Sequence, residues 1–70
     1  MNAVAKLVDA IAQAGGINRD DAQKVFAHYD ALKLIDKKNA RLGQYTVKHG
    51  SFLDRDVILR ALAAAKGDRR

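Results

Sequence analysis

Seventy residues, with 13 Lys and Arg against 8 Asp for a net charge of +5 and with no cysteine or proline, describe one small basic domain. A chain this short buries only about 60% of its unfolded surface, and without cysteine it has neither disulfides nor thiolate-held metals to staple it. Its apolar fraction of 49% is that of a folded protein and excludes intrinsic disorder, so pairing with a second copy, as a homodimer, is the expected support for a small core.

In chain order, the first element is a helix. Val4, Leu7, Val8 and Ile11 recur at i, i+3, i+4 and i+7, the spacing of one buried face, and alanines fill much of the remainder. Gly15-Gly16 ends it, because glycine adopts the left-handed C′ conformation without a Cβ clash. Asn18 then reads as the N-cap of a second helix. Asp20 and Asp21 fall in its first turn, against the positive end of the helix dipole, and Ile17 is placed to staple onto Ala22. Ala22, Val25, Phe26, Tyr29 and Leu32 give this helix its buried face, and the pattern fades between Leu32 and Leu34.

The period then changes. Residues 33–36 and 44–48 are short runs with β-branched and aromatic character, joined by a polar connection over 37–43, and together they predict a β-hairpin. Tyr45 and Val47 share one face of the second strand, with Thr46 and Lys48 on the other. A two-stranded hairpin is marginal alone, so the Tyr45/Val47 face is expected to pack on the helices. Gly50-Ser51 turns the chain into a third helix, capped either by Ser51 in a capping box with Asp54 or by Asp54 itself. Val57, Ile58, Ala61, Leu62 and Ala65 form its apolar stripe, Arg55 and Arg60 point elsewhere, and Gly67 stops it. The expected fold is α+β and mainly helical: α-α-β-β-α, a two-stranded hairpin packed on three helices. It forms a single domain over residues 1–67, with 68–70 as a frayed tail.

Catalysis finds little to work with. The acids and bases are eight Asp and two His, with no Glu or Cys, and the lone serine, Ser51, is accounted for near a helix start. His28 and His49 stand apart without a patterned carboxylate, so neither a metal site nor a cofactor is expected, and the chain does not read as an enzyme. Gly15-Gly16 lacks the glycine spacing and lysine of a phosphate-cradling loop.

Charge placement is more telling. Residues 1–32 carry a net −1. Residues 33–49 carry Lys33, Lys37, Lys38, Arg41 and Lys48 against Asp36 alone, a net +4, and residues 50–70 carry +2. Positive charge gathered on a hairpin suits a polyanion, through counterion release from phosphates, and basic β-ribbons lie along phosphates or enter a groove. The candidate nucleic-acid-binding set is therefore Lys33, Lys37, Lys38, Arg41, Lys48 and the adjoining His49, with Arg55 and Arg60 from the third helix. The first two helices have the outline of a helix-turn-helix, but Asp20 and Asp21 would meet phosphate repulsion there. The plainer alternative is a solvated basic surface that keeps a small protein dispersed.

Residues 7–29, LVDAIAQAGGINRDDAQKVFAHY, carry an L-x-D-A-I-A run, an A-G break and a capped second helix with A-x-K. This stretch resembles the opening helical pair of the HU/IHF family of bacterial DNA-bending proteins. The resemblance implies a helix-helix-sheet-helix order and an intertwined dimer that grips DNA with β-ribbon arms. It covers about a third of the chain. GQYTVKHGSF is only a loose echo of the family's glycine-phenylalanine sheet signature, and the long arm and its proline wedge are missing, so no DNA-contacting residue carries over.

The expected function is that of a small cytoplasmic, dimeric, DNA-binding or regulatory protein of bacterial or mobile-element type that contacts phosphates through a basic hairpin. No apolar run approaches the roughly 20 residues needed to span a bilayer, and no signal-peptide pattern opens the chain. The rival is a phage- or plasmid-type interaction module that docks on an acidic protein surface without touching nucleic acid.

Overall fold

A computed structural model describes residues 2–67. Helix α1 (Ala3–Gly15) starts at Asn2, whose Oδ1 accepts the Ala5 N–H at 2.8 Å. At its end the Gly16 N–H donates to the Gln13 carbonyl and the Ile17 N–H to the Ala12 carbonyl, with Gly16 at φ 64°. This is the paired closure of a Schellman motif. Asn18 then caps α2 (Arg19–Ala31) by accepting the Asp21 N–H at 2.8 Å. Helix α2 ends in the same closure: the Lys33 N–H donates to the Asp30 carbonyl at 3.0 Å and the Leu34 N–H to the Tyr29 carbonyl at 2.9 Å. Here, however, the left-handed position belongs to a lysine, with Lys33 at φ 63°.

Strand β1 (Ile35–Asp36) pairs antiparallel with β2 (Thr46–Val47), Ile35 opposite Val47 and Asp36 opposite Thr46. The connection holds a 3-10 turn, Ala40–Leu42, followed by Gly43 at φ 73°. A second 3-10 turn, Gly50–Leu53, leads into α3 (Arg55–Ala65). The architecture is thus mainly helical, with a short hairpin laid against three helices. None of the described helices is long and apolar enough to cross a membrane.

Ile11, Ala22, Val25 and Ile58 sit wholly inside, one or two from each helix, with Leu7, Val8, Phe26, Tyr29, Ala61 and Leu62 around them. The hairpin joins this core through buried Ile35 and half-buried Tyr45 and Val47, the face its alternation predicts. Tyr45 lies stacked with Phe26 at a ring separation of 6.4 Å. Tyr29 is the main tie: its ring meets Phe52 at 5.3 Å and its hydroxyl donates to the Phe52 carbonyl at 2.9 Å.

Several sequence expectations need correction. Val4 is 41% exposed, because the buried stripe of Leu7, Val8 and Ile11 continues at the start of α1 through Ala3, four residues before Leu7, rather than through Val4. Leu32 is turned out to 55% exposure because the chain leaves the helix at the left-handed Lys33 next to it. The strands are two residues long each, shorter than 33–36 and 44–48. The Leu34 N–H is committed to Tyr29, so the ladder ends with the Lys48 N–H donating to the Leu34 carbonyl at 2.9 Å. The Ser51 capping box does not form. Ser51 lies in the second 3-10 turn, where its carbonyl accepts the Asp54 N–H, and Asp54 holds the N-cap position without a side-chain cap bond. Gly67, at φ 77°, follows α3 as expected. The proposed tail at 68–70 lies outside the described residues.

Gly15 does more than end a helix. A Cβ there would stand 2.6 Å from Ile58 Cγ2, so its missing side chain sets how closely α1 approaches α3. A helical Gly→Ala change gains up to about 1 kcal/mol, but overpacking costs about 1–3 kcal/mol. Gly15→Ala is therefore expected to lower the urea midpoint, with a net loss of about 1 kcal/mol. A second outcome concerns Tyr29, whose burial raises its hydroxyl above the ordinary 10.0. The folded chain keeps a proton that the unfolded chain gives up, so this contribution is full below about pH 10 and is lost as pH rises through the raised value. Tyr29→Phe is expected to lose about 1 kcal/mol at neutral pH and to show a shallower alkaline fall in thermal melts.

Candidate nucleic-acid interface

The cations expected to touch phosphate fall into three groups. The first surrounds the corner where α2 gives way to β1. Lys33 occupies that corner, and Lys48 is fastened beside it by its N–H on the Leu34 carbonyl. His49 follows, its ring 5.8 Å from that of Phe52. Arg60 lines an open groove of about 340 Å³ whose wall includes Leu34 and Phe52. Lys33, Lys48, His49 and Arg60 are all exposed. Among the described residues, Lys33, Lys48 and Arg60 have no carboxylate within ion-pair reach.

The second group is the hairpin connection, and most of its charge is already engaged. Lys37 Nζ lies 2.9 Å from Asp30 Oδ1 and 5.7 Å from the centre of the Tyr45 ring. The hydrogen bond to Asp30 holds the Lys37 ammonium above its ordinary value of 10.5. This contact is complete below the ordinary lysine range and is lost only as pH rises through the raised value. Lys38 Nζ stands 4.0 Å from Asp36 Oδ2, and its backbone N–H donates to Asp36 Oδ1 at 3.0 Å. Arg41, on the 3-10 turn, is exposed and without such a partner among the described residues.

Arg55 stands apart. Five positions separate it from Arg60, about 140° around α3, and its Nε comes within 3.9 Å of where a Cβ on Gly16 would be. It faces the α1–α2 turn, so the two arginines do not share a face.

No protein-family model, curated protein or solved structure matches the chain. Its surface has to be read from its own chemistry.

Two features escaped sequence reasoning. The Asp30–Lys37 pair joins residues on different elements, and no spacing rule marks it. Leu42, 72% exposed between Arg41 and Gly43, was hidden inside a connection read only as polar.

The strain at Lys33 has a measurable consequence. An L-residue in the left-handed region costs about 1–2 kcal/mol, part of which glycine returns as unfolded-chain entropy. Lys33→Gly is expected to raise stability by up to about 1 kcal/mol in urea titration. Lys48→Gly, where the backbone is not left-handed, is expected to lower it.

Proposed function

We propose that the chain is a small nucleic-acid-binding protein that holds duplex phosphates at the base of its hairpin, through Lys33, Lys48 and Arg60. His49 adds a donor and Arg41 reaches in from the connection. The observation that carries this reading is the backbone of Lys33. The other left-handed positions among the described residues, Gly16, Gly43 and Gly67, are glycines, which adopt that conformation freely. At Lys33 the fold tolerates strain, and what it gains over glycine is an exposed ammonium. Strain kept at an exposed cation points to a use for the charge.

The contacts are of the backbone-positioning kind, so binding is largely indifferent to sequence. Tyr45 is stacked on Phe26 and covered by Lys37, leaving it unsuited to stacking on bases, and duplex is favoured over single strands. A homodimer would offer two such clusters, and a cytoplasmic location accords with the role. The likeness of residues 7–29 to the opening helices of the HU/IHF family is in keeping with it.

A second reading, an interaction module without nucleic acid, is favoured by Leu32. This side chain is 55% exposed and lines the same groove as Arg60, an apolar element that phosphates do not use.

Fluorescence anisotropy with a 20-base-pair duplex distinguishes the two. Three to four phosphate contacts imply a log–log salt slope of about −3, hence roughly 60-fold weaker binding at 200 mM than at 50 mM salt. Lys33→Gly and Lys48→Ala should each bring that slope about one unit closer to zero. Asp30→Asn releases Lys37 and should tighten binding several-fold. No binding to any duplex at about 50 mM salt would sink the proposal.

A further inference from the structure

The hairpin has only two strands, so each keeps one open edge. The Lys48–Leu34 bond and the register fix the alternation of the ladder: Asp36 and Thr46 form the hydrogen-bonded pair, and Ile35 and Val47 the non-bonded pair. The N–H and C=O groups of Val47, and of Tyr45 two residues earlier, therefore point away from β1. Neither residue takes up a backbone hydrogen bond elsewhere among the described residues.

That open edge faces a cleft of about 410 Å³. Residues 43–47 form one wall in unbroken succession and β1 contributes nothing, so the cleft lies on the far side of β2. Leu7 and Ala10 of α1 form the opposite wall together with Leu53. Lys6 is the single charged group lining it among the described residues, exposed and with no carboxylate within ion-pair reach among them.

We infer that this cleft receives an extended acidic strand from a partner protein. The strand pairs with the free edge of β2, lowers one apolar side chain between Leu7, Ala10 and Leu53, and sets a carboxylate against Lys6. Pairing with an exposed edge draws its affinity from main-chain hydrogen bonds and its selectivity from pockets for alternate side chains, and both halves are present here. The charge of the cleft selects the occupant. A second copy of this chain, pairing β2 with β2, would bring the Lys6 and Lys48 of both copies to one edge, and like charges there oppose it. An acidic strand meets no such cost. Tyr45 and Val47 are spaced about 7 Å along the strand, so only two or three partner residues pair, and an affinity on the order of 10–100 µM is expected. Lys6 has no part in the phosphate-binding cluster, so this inference stands independently of the nucleic-acid reading.

The test uses the whole chain, isotopically labelled, and a capped pentapeptide of sequence Asp-Val-Glu-Leu-Glu. At saturation, amide exchange at Tyr45 and Val47 should slow at least tenfold, while Thr46, already bonded to β1, should change little. An N-methylated form of the peptide, unable to complete the ladder, should not bind. Lys6→Glu, on an exposed helical site, should weaken binding about tenfold while leaving the amide spectrum otherwise folded. Unchanged exchange at Tyr45 and Val47 with 2 mM peptide, or shifts centred away from residues 43–47, would overturn the inference. Slowing that grows with protein concentration and needs no peptide would overturn it too, by giving the edge to a second copy.

Discussion

Tyr29 is the point on which the other contacts hang. Its carbonyl receives the Leu34 N–H that fixes where the chain leaves α2, and its ring and hydroxyl both engage Phe52 in the turn leading to α3. Through its carbonyl and its buried side chain, one residue of the middle helix therefore positions both the hairpin and the approach to the last helix. A 70-residue chain without cysteine has few other means to do this. Interactions concentrated in this way make separate elements rise and fall together, because loosening Tyr29 frees the corner and the turn at once.

The same economy governs the charges. A segment with a formal balance of +4 looks uniformly basic in the sequence, yet Asp30 and Asp36 draw Lys37 and Lys38 back onto the surface of the protein. Exposed pairs of this kind add little to stability. Their effect is on availability: a lysine already facing a carboxylate must give up that partner before it meets a phosphate. The unpaired positive charge of the segment is thus smaller than the formal count, with Lys33 and Lys48 at the base of the hairpin and Arg41 on its connection.

The order of the elements could be read from the sequence because each boundary is local chemistry. Asn18 caps within three residues, Gly16 closes within four, and the apolar stripes of α2 and α3 repeat at helical spacing. The strand faces were equally clear, since Tyr45 and Val47 differ so plainly from Thr46 and Lys48. The strand ends were not, because they depend on a backbone bond between Leu34 and Tyr29 that no side chain advertises. The candidate site was readable only as a list of cations. That Arg60 lines one groove with Leu34 and Phe52 while Arg55 faces the α1–α2 turn depends on how α3 crosses the rest, and that crossing depends on the close approach of Gly15 to Ile58. The left-handed Lys33 was invisible for a different reason: helix-end rules lead one to look for glycine there.

The stretch GQYTVKHG begins and ends with glycine, and both glycines have nothing near the place of a side chain. Gly43 turns the chain by its left-handed backbone, and Gly50 opens the following 3-10 turn. Between them they keep the open ladder of β2 to a few residues, below the six or seven that stacking into fibrils requires. Lys48 adds a charge at the end of the strand, a common guard on bare sheet edges. These glycines thus restrain aggregation: they let the chain carry an unsatisfied edge at working concentrations without that edge becoming a template for its neighbours.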